Sequence, residues 1–237
     1  MSSFFFRLGK RLAPAVLKGR WLYHSAVGDE TDAIRAEYLM GCQLAASYQS
    51  AVQLDRDLSV RQLLRALQLR LVPCVRSPQR QFAFRCVLTD ERNAFALPGG
   101  FIYVSRPMLE FCGFVADEVA FVLGHEIAHV VYRHAADRVF ALSVTNLATR
   151  IVAGGHPVVN GIVAKLIAEG YSRSQELEAD AYAGLLVRAA RFDPRAALGL
   201  LQRLQRACSG PSALGAFFAS HPPFDERVEN LRQTLRI

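Results

Sequence analysis

No aspartate or glutamate occurs between Met1 and Gly28, although the 237-residue chain holds 21 acidic residues against 28 basic ones. The cysteines are few, odd in number and scattered: Cys42, Cys74, Cys86, Cys112 and Cys208 contain no C-x-x-C pair. That spacing excludes a paired-cysteine zinc site, a redox dithiol and a complete disulfide framework, so reduced thiols in a non-oxidising compartment are expected. Nor is there an unbroken run of about 18 apolar residues, the length a spanning helix needs. The nearest candidate, Val139 to Ile167, is interrupted by Arg150, by Gly154-Gly155-His156-Pro157 and by Lys165. Phe4-Phe5-Phe6 is too short for the apolar core of a secretory signal and is followed by charges. No linker divides the chain, which suits one domain, residues 29–237, behind a basic extension, residues 1–28.

Nearly all of the net charge of +7 is carried by arginine, and it clusters once. In the acid-free start, Arg7, Lys10, Arg11, Lys18 and Arg20 interleave with Phe4, Phe5, Phe6, Trp21 and several leucines. Such a basic, aromatic-rich stretch can lie on an anionic membrane surface, or it can dock its apolar side on the domain, and Pro14 interrupts any helix there. Peripheral membrane contact is therefore a possible partner interaction, and no nucleic-acid partner is expected. A cytoplasmic or membrane-peripheral location follows, with organellar targeting as the alternative because an arginine-rich, acid-free start also resembles a transit peptide.

What is present is His125-Glu126-Ile127-Ala128-His129, set in an apolar-periodic run from Val115 to Arg138 with one glycine and no proline. That run predicts a buried helix of about six turns. Histidines four apart share one helical face, about 6 Å apart along the axis and roughly 40° around it, so both imidazoles can reach one metal ion. Zn²⁺ accepts imidazole nitrogen in tetrahedral geometry. Glu126 is then placed to take a proton from water at the metal.

Around this helix, Asp29 to about Leu54 and Val60 to Leu71 predict two covering helices, the second capped by Ser59 and ended by Pro73. Between Gln81 and Ser105 the period changes to strand: Phe82, Phe84, Cys86 and Leu88 alternate with smaller or polar residues, and Phe101 to Val104 is rich in β-formers. Pro98-Gly99-Gly100 signals a tight turn, so a β-hairpin is expected just before the metal helix. Its edge, comprising Asn93, Ala94, Phe95, Gly99 and Gly100, can pair with an extended polypeptide, or it can be an ordinary hairpin packed on the helix. Val139 to Arg150 and Gly161 to Glu169 read as further apolar helices, Ser174 as the cap of a helix reaching about Ala190, and Asp225 to Leu235 as a final helix.

A catalytic zinc needs a third protein ligand and one open position. Glu176 and Glu178 are the candidates, and about 200° of helix separates them, so only one can face the metal. Asp180, one turn beyond Glu176, can support a ligand histidine from behind, which favours Glu176 and leaves Glu178 as a solvated charge. His221 lies in Ser220-His221-Pro222-Pro223, where prolines fix the backbone. It can be a surface residue or a donor to an oxyanion. His24, His134 and His156 are given no role.

The ordered set His125-Glu126-Ile127-Ala128-His129, Glu176-Leu177-Glu178-Ala179-Asp180 and Ser220-His221-Pro222, preceded by Asn93 to Gly100, resembles the gluzincin metallopeptidases. That group contains the CAAX prenyl endopeptidase and HtpX-like quality-control proteases, and this chain is similar to its compact branch without spanning helices. The resemblance implies a mostly helical α+β, zincin-like domain with a small hairpin or sheet beside the metal helix. It implies one Zn²⁺ per chain on His125, His129 and Glu176, Glu126 as catalytic base, Asp180 as support, and His221 as oxyanion stabiliser or self-blocking ligand. Polypeptide hydrolysis in unfolded or misfolded proteins is the expected activity. A catalytically latent zinc domain that binds client chains along its edge strand is the alternative.

Overall fold

The computed structural model describes residues 30–142, 163–166, 170–208, 221 and 226–237. The basic extension 1–28, residues 143–150 and the Gly154–Pro157 break lie outside them. In chain order the elements are α1 (Glu30–Ala51), β1 (Gln53–Leu54), α2 (Leu58–Leu71), β2 (Ala83–Leu88), β3 (Ala94–Leu97), β4 (Phe101–Ser105), α3 (Arg106–Phe111) and α4 (Ala116–Val131). They continue with α5 (134–142), α6 (Arg173–Ala189), α7 (Pro194–Cys208) and α8 (Glu226–Leu235). The mostly helical α+β class expected from the sequence is the one observed.

The four strands form one sheet in the order β1-β2-β4-β3. The expected hairpin exists, but it joins β3 to β4 across Pro98-Gly99-Gly100, pairing Leu97 with Phe101. The Phe82–Leu88 stretch is not its other arm: β2 runs parallel to β4, with Ala83 opposite Phe101 and Val87 opposite Ser105. This inserts β3 at the far edge. Gly99 and Gly100 adopt φ of +77° and +89°, and a Cβ on Gly99 would come within 2.6 Å of Tyr38 Cα. Helix α1 therefore clamps the turn, and a Cβ on its own Gly41 would collide with the Pro98 carbonyl oxygen.

Both faces of the sheet are buried, which explains where the strand alternation departs from expectation. Phe84, Cys86, Ala94, Ala96, Ile102 and Val104 pack with α2, α4, α6, α7 and α8. Val87, Phe95, Leu97 and Tyr103 point the other way, into a second core with Met40 and Leu44 of α1, Val139 and Leu142 of α5, and Val163 and Leu166. Val87 is thus buried while Leu88, expected inside, is exposed.

Two helix boundaries also differ. Asp57 rather than Ser59 caps α2, its Oδ1 accepting from both the backbone N and the Oγ of Ser59. The predicted single helix Val115–Arg138 is broken at Tyr132-Arg133, where Arg133 takes φ 63°. The break lets α4 stay in the first core while Ala136, Val139 and Leu142 of α5 enter the second. A straight helix could serve only one of them.

Candidate active site

Helix α4 is buried all round, every side from Val119 to Val130 being covered. Its main partner is α6, and opposite Gly124 the two backbones come close enough that a Cβ would rest 3.5 Å from Ala183 Cα. Helix α6 starts two residues earlier than Ser174 would place it. Ser172 Oγ accepts from Gln175 N, while Gln175 Oε1 accepts from Ser172 N at 3.0 Å, a reciprocal capping box. The Ser-x-x-Gln spacing was there to be read; Ser174 has leucine three residues on and cannot form it.

The cap fixes the helical phase, and phase selects the carboxylates. Glu176 and Asp180 turn inward, both wholly buried, whereas the Glu178 side chain is 49% exposed. His125, Glu126, His129 and His221 are buried with them. His125 Nε2 lies 3.0 Å from His129 Nε2 and 3.2 Å from His221 Nδ1, and Glu176 Oε1 lies 2.9 Å from His221 Nδ1 and 3.4 Å from His129 Nε2. One ligand atom from each of these four residues falls within 4.8 Å of the others. Four donor atoms this close, with these four separations of 2.9–3.4 Å, are near enough together to share one metal ion.

Chemistry points the same way. His125 Nδ1 lies 2.9 Å from Asp180 Oδ1, so it donates there and leaves the Nε2 lone pair facing the other imidazoles. Nitrogen lone pairs converging in a dry interior need a cation between them, and this donor set fits a metal ion. Both oxygens of Glu126 are buried without a hydrogen-bond partner, with His221 Nε2 3.3 Å from Oε1. A buried carboxylate in that condition is built for a ligand or water.

Burial raises the Glu126 carboxyl above its usual range. Burial also opposes ionisation of Glu176, but His221, Arg227 and His125 outweigh it and hold that carboxyl well below the usual range. Burial keeps His129 well below its ordinary value.

Three contributors escaped the sequence reading. Arg227, on α8, is buried and meets Asp180 through Nε and Nη2 and Glu176 Oε2 through Nη1 at 2.8 Å. Buried paired carboxylates demand a cation, which was a usable signal, but α8 offers two arginines, Arg227 and Arg232, and spacing alone does not choose. His134, given no role, is buried with Nδ1 3.0 Å from His129 Nδ1 and Nε2 3.4 Å from Glu178 Oε2, so Glu178 is not simply solvated. Tyr171 stacks on His129 at 3.6 Å between centroids.

Of the proposed substrate edge, Asn93, Ala94 and Phe95 lie at the start of outermost strand β3, and all are buried. Asn93 Oδ1 has no hydrogen-bond partner. Gly99 and Gly100 sit in the clamped turn, where packing on Tyr38 and Gln81 already accounts for their lack of side chains. Among the described residues, no helix is long and apolar enough to cross a membrane.

The chain is 32% identical over 147 residues to the mitochondrial metalloendopeptidase OMA1 of Schizosaccharomyces pombe, covering 60% of this chain and 43% of that one. The OMA1 of Arabidopsis thaliana is 35% identical, over 60% of this chain and 29% of its own length. The β-barrel assembly-enhancing protease of Escherichia coli is 26% identical over 216 residues, 85% of this chain and 44% of that protein. The chain thus spans less than half the length of these relatives. Residues 59–235, from the start of α2 to the end of α8, match the family model for peptidase family M48 and enclose the whole cluster of histidines and carboxylates. The chain belongs to peptidase family M48.

Proposed function

We propose that this chain is a zinc-dependent endopeptidase acting on unfolded or misfolded polypeptides. The observation that carries the reading is the convergence of His125 Nε2, His129 Nε2 and Glu176 Oε1 beside a Glu126 carboxylate with no hydrogen-bond partner. Two imidazoles and a carboxylate converging on one point suit zinc better than the oxygen-seeking Mg²⁺ or Ca²⁺. When bound, zinc supplies Lewis acidity that acidifies water and polarises a carbonyl. Glu126 takes the proton of the attacking water and passes it to the leaving amine, a task suited by a carboxyl that burial has pushed upward. Asp180 fixes the ring of His125, and Arg227 pairs with Asp180 and Glu176 behind it.

Substrate would lie along β3 as an added strand, recognised by its backbone and therefore with little demand on sequence. The Asn93 side-chain oxygen Oδ1 supports this, being a buried acceptor in need of a donor at the head of that strand. Ala94 and Phe95 would follow along the edge, with Gly99 and Gly100 holding the turn. The extension 1–28 is proposed as a peripheral membrane contact of the same protein.

His221 Nδ1 lies 3.2 Å from His125 Nε2 and 2.9 Å from Glu176 Oε1, which supports a latch: His221 would hold the remaining metal position until substrate displaces it. The same observation favours a second reading, a latent zinc domain that binds client chains without cutting them, since four protein donors make a closed site. Zinc content and casein cleavage of wild type and Glu126→Gln decide between them. One zinc per chain in both, with cleavage only by wild type, supports the enzyme. Zinc without cleavage of casein or other unfolded proteins, by wild type and by His221→Ala alike, replaces it with the client-binding domain.

A further inference from the structure

We propose that His134 and Glu178 form a positioning relay that sets the tautomer and ring orientation of His129, resting on the zinc reading above. The two histidines of α4 are supported differently. His125 has a carboxylate directly on its Nδ1, Asp180 at 2.9 Å. The Nδ1 of His129 instead faces another imidazole, His134 Nδ1 at 3.0 Å, and His134 Nε2 in turn lies 3.4 Å from Glu178 Oε2.

Only one arrangement of protons satisfies this line. His129 presents Nε2 to the cluster, so its proton resides on Nδ1 and is donated to His134 Nδ1. His134 must then carry its own proton on Nε2, the nitrogen that faces the Glu178 carboxylate. The order carboxylate, imidazole, ligand imidazole extends by one ring the carboxylate–histidine support common at metal sites. Tyr171 holds the plane of His129 from one side at 3.6 Å and 12°, with the Arg138 guanidinium 4.3 Å from the Tyr171 ring centre.

Helix α6 thus braces the site three times. Glu176 enters it, Asp180 supports His125, and Glu178, about 200° around the helix from Glu176, reaches it only through His134. The break at Tyr132-Arg133 makes this possible. On an uninterrupted helix, residues five apart lie about 140° apart and cannot meet.

The test uses the full chain, with zinc affinity measured by competition against a chromophoric chelator and histidine tautomers read by nitrogen-15 NMR of the zinc-loaded wild type. His134→Leu is expected to weaken zinc binding about 10–100-fold. His134→Gln, whose carbonyl oxygen can accept from His129 Nδ1, restores most of that loss, which space-filling alone would not produce. Glu178→Ala, at a half-exposed position that does not endanger folding, weakens binding several-fold. The spectrum shows His134 protonated on Nε2. Wild-type affinity in His134→Leu or Glu178→Ala, no rescue by glutamine, or a His134 protonated on Nδ1 overturns the relay. If His134→Leu does not fold, Glu178→Ala and the wild-type spectrum decide. A wild type that takes up no zinc overturns instead the metal reading beneath it.

Discussion

Arg227 grips Asp180 with two nitrogens, Nε 2.7 Å from Oδ2 and Nη2 2.8 Å from Oδ1, joining α8 to α6 at the back of the site. Its third nitrogen reaches Glu176, so one buried guanidinium contacts two buried carboxylates. Removing it leaves both buried carboxylates, among the described residues, with histidine partners alone. Arg227→Ala is therefore expected to cost about 3–5 kcal/mol, read as a lower midpoint in urea unfolding. Arg227→Lys recovers only part of this, because an ammonium cannot form the two-pronged contact.

Removing the imidazole is the cleanest probe of the latch proposed for His221. His221→Ala should keep one zinc per chain and cleave casein several-fold faster than wild type. Slower cleavage with zinc retained would assign His221 to the oxyanion instead.

On the proposed ligand set zinc should behave as a folding ligand, since His125 and His129 come from α4, Glu176 from α6, and His221 from 96 positions beyond His125. At zinc a hundred times above its Kd, removal by chelator should cost about 2.7 kcal/mol. For a domain of this size that is a fall in Tm of roughly 5–10 °C, checked by scanning calorimetry with and without EDTA.

Two glycines should respond oppositely to alanine. At Gly41 the new Cβ would overlap the Pro98 carbonyl, so Gly41→Ala destabilises by about 1–3 kcal/mol or shifts the β3–β4 turn. At Gly199 on α7 the nearest atom is Arg203 Nη1, 4.0 Å away, so Gly199→Ala gains up to about 1 kcal/mol of helix propensity. Denaturant midpoints of the two variants against wild type measure both signs.

The basic extension can be tested by deletion. Removing residues 1–28 should abolish co-sedimentation with phosphatidylserine vesicles at low salt, and high salt should do the same to the full chain. Equal sedimentation of both proteins would place the contact elsewhere.

By itself the sequence determined what local spacing can encode. Two histidines four apart must share a helical face, Pro-Gly-Gly must turn, and Asp180 must follow Glu176 around one turn of helix. These hold for any tertiary arrangement, because backbone period alone produces them. The family pattern adds that such groups converge, but not which of their atoms meet.

Only the tertiary structure decided the rest. The parallel pairing of β2 with β4 depends on burying both sheet faces, whereas the local signal spoke only for a hairpin. The break after Tyr132 serves two cores at once, and it alone brings His134 back to His129. Arg227 meets Asp180 across 47 positions of sequence, and His221 meets His125 across 96. No local period links residues so far apart; desolvated charge and close packing chose those partners.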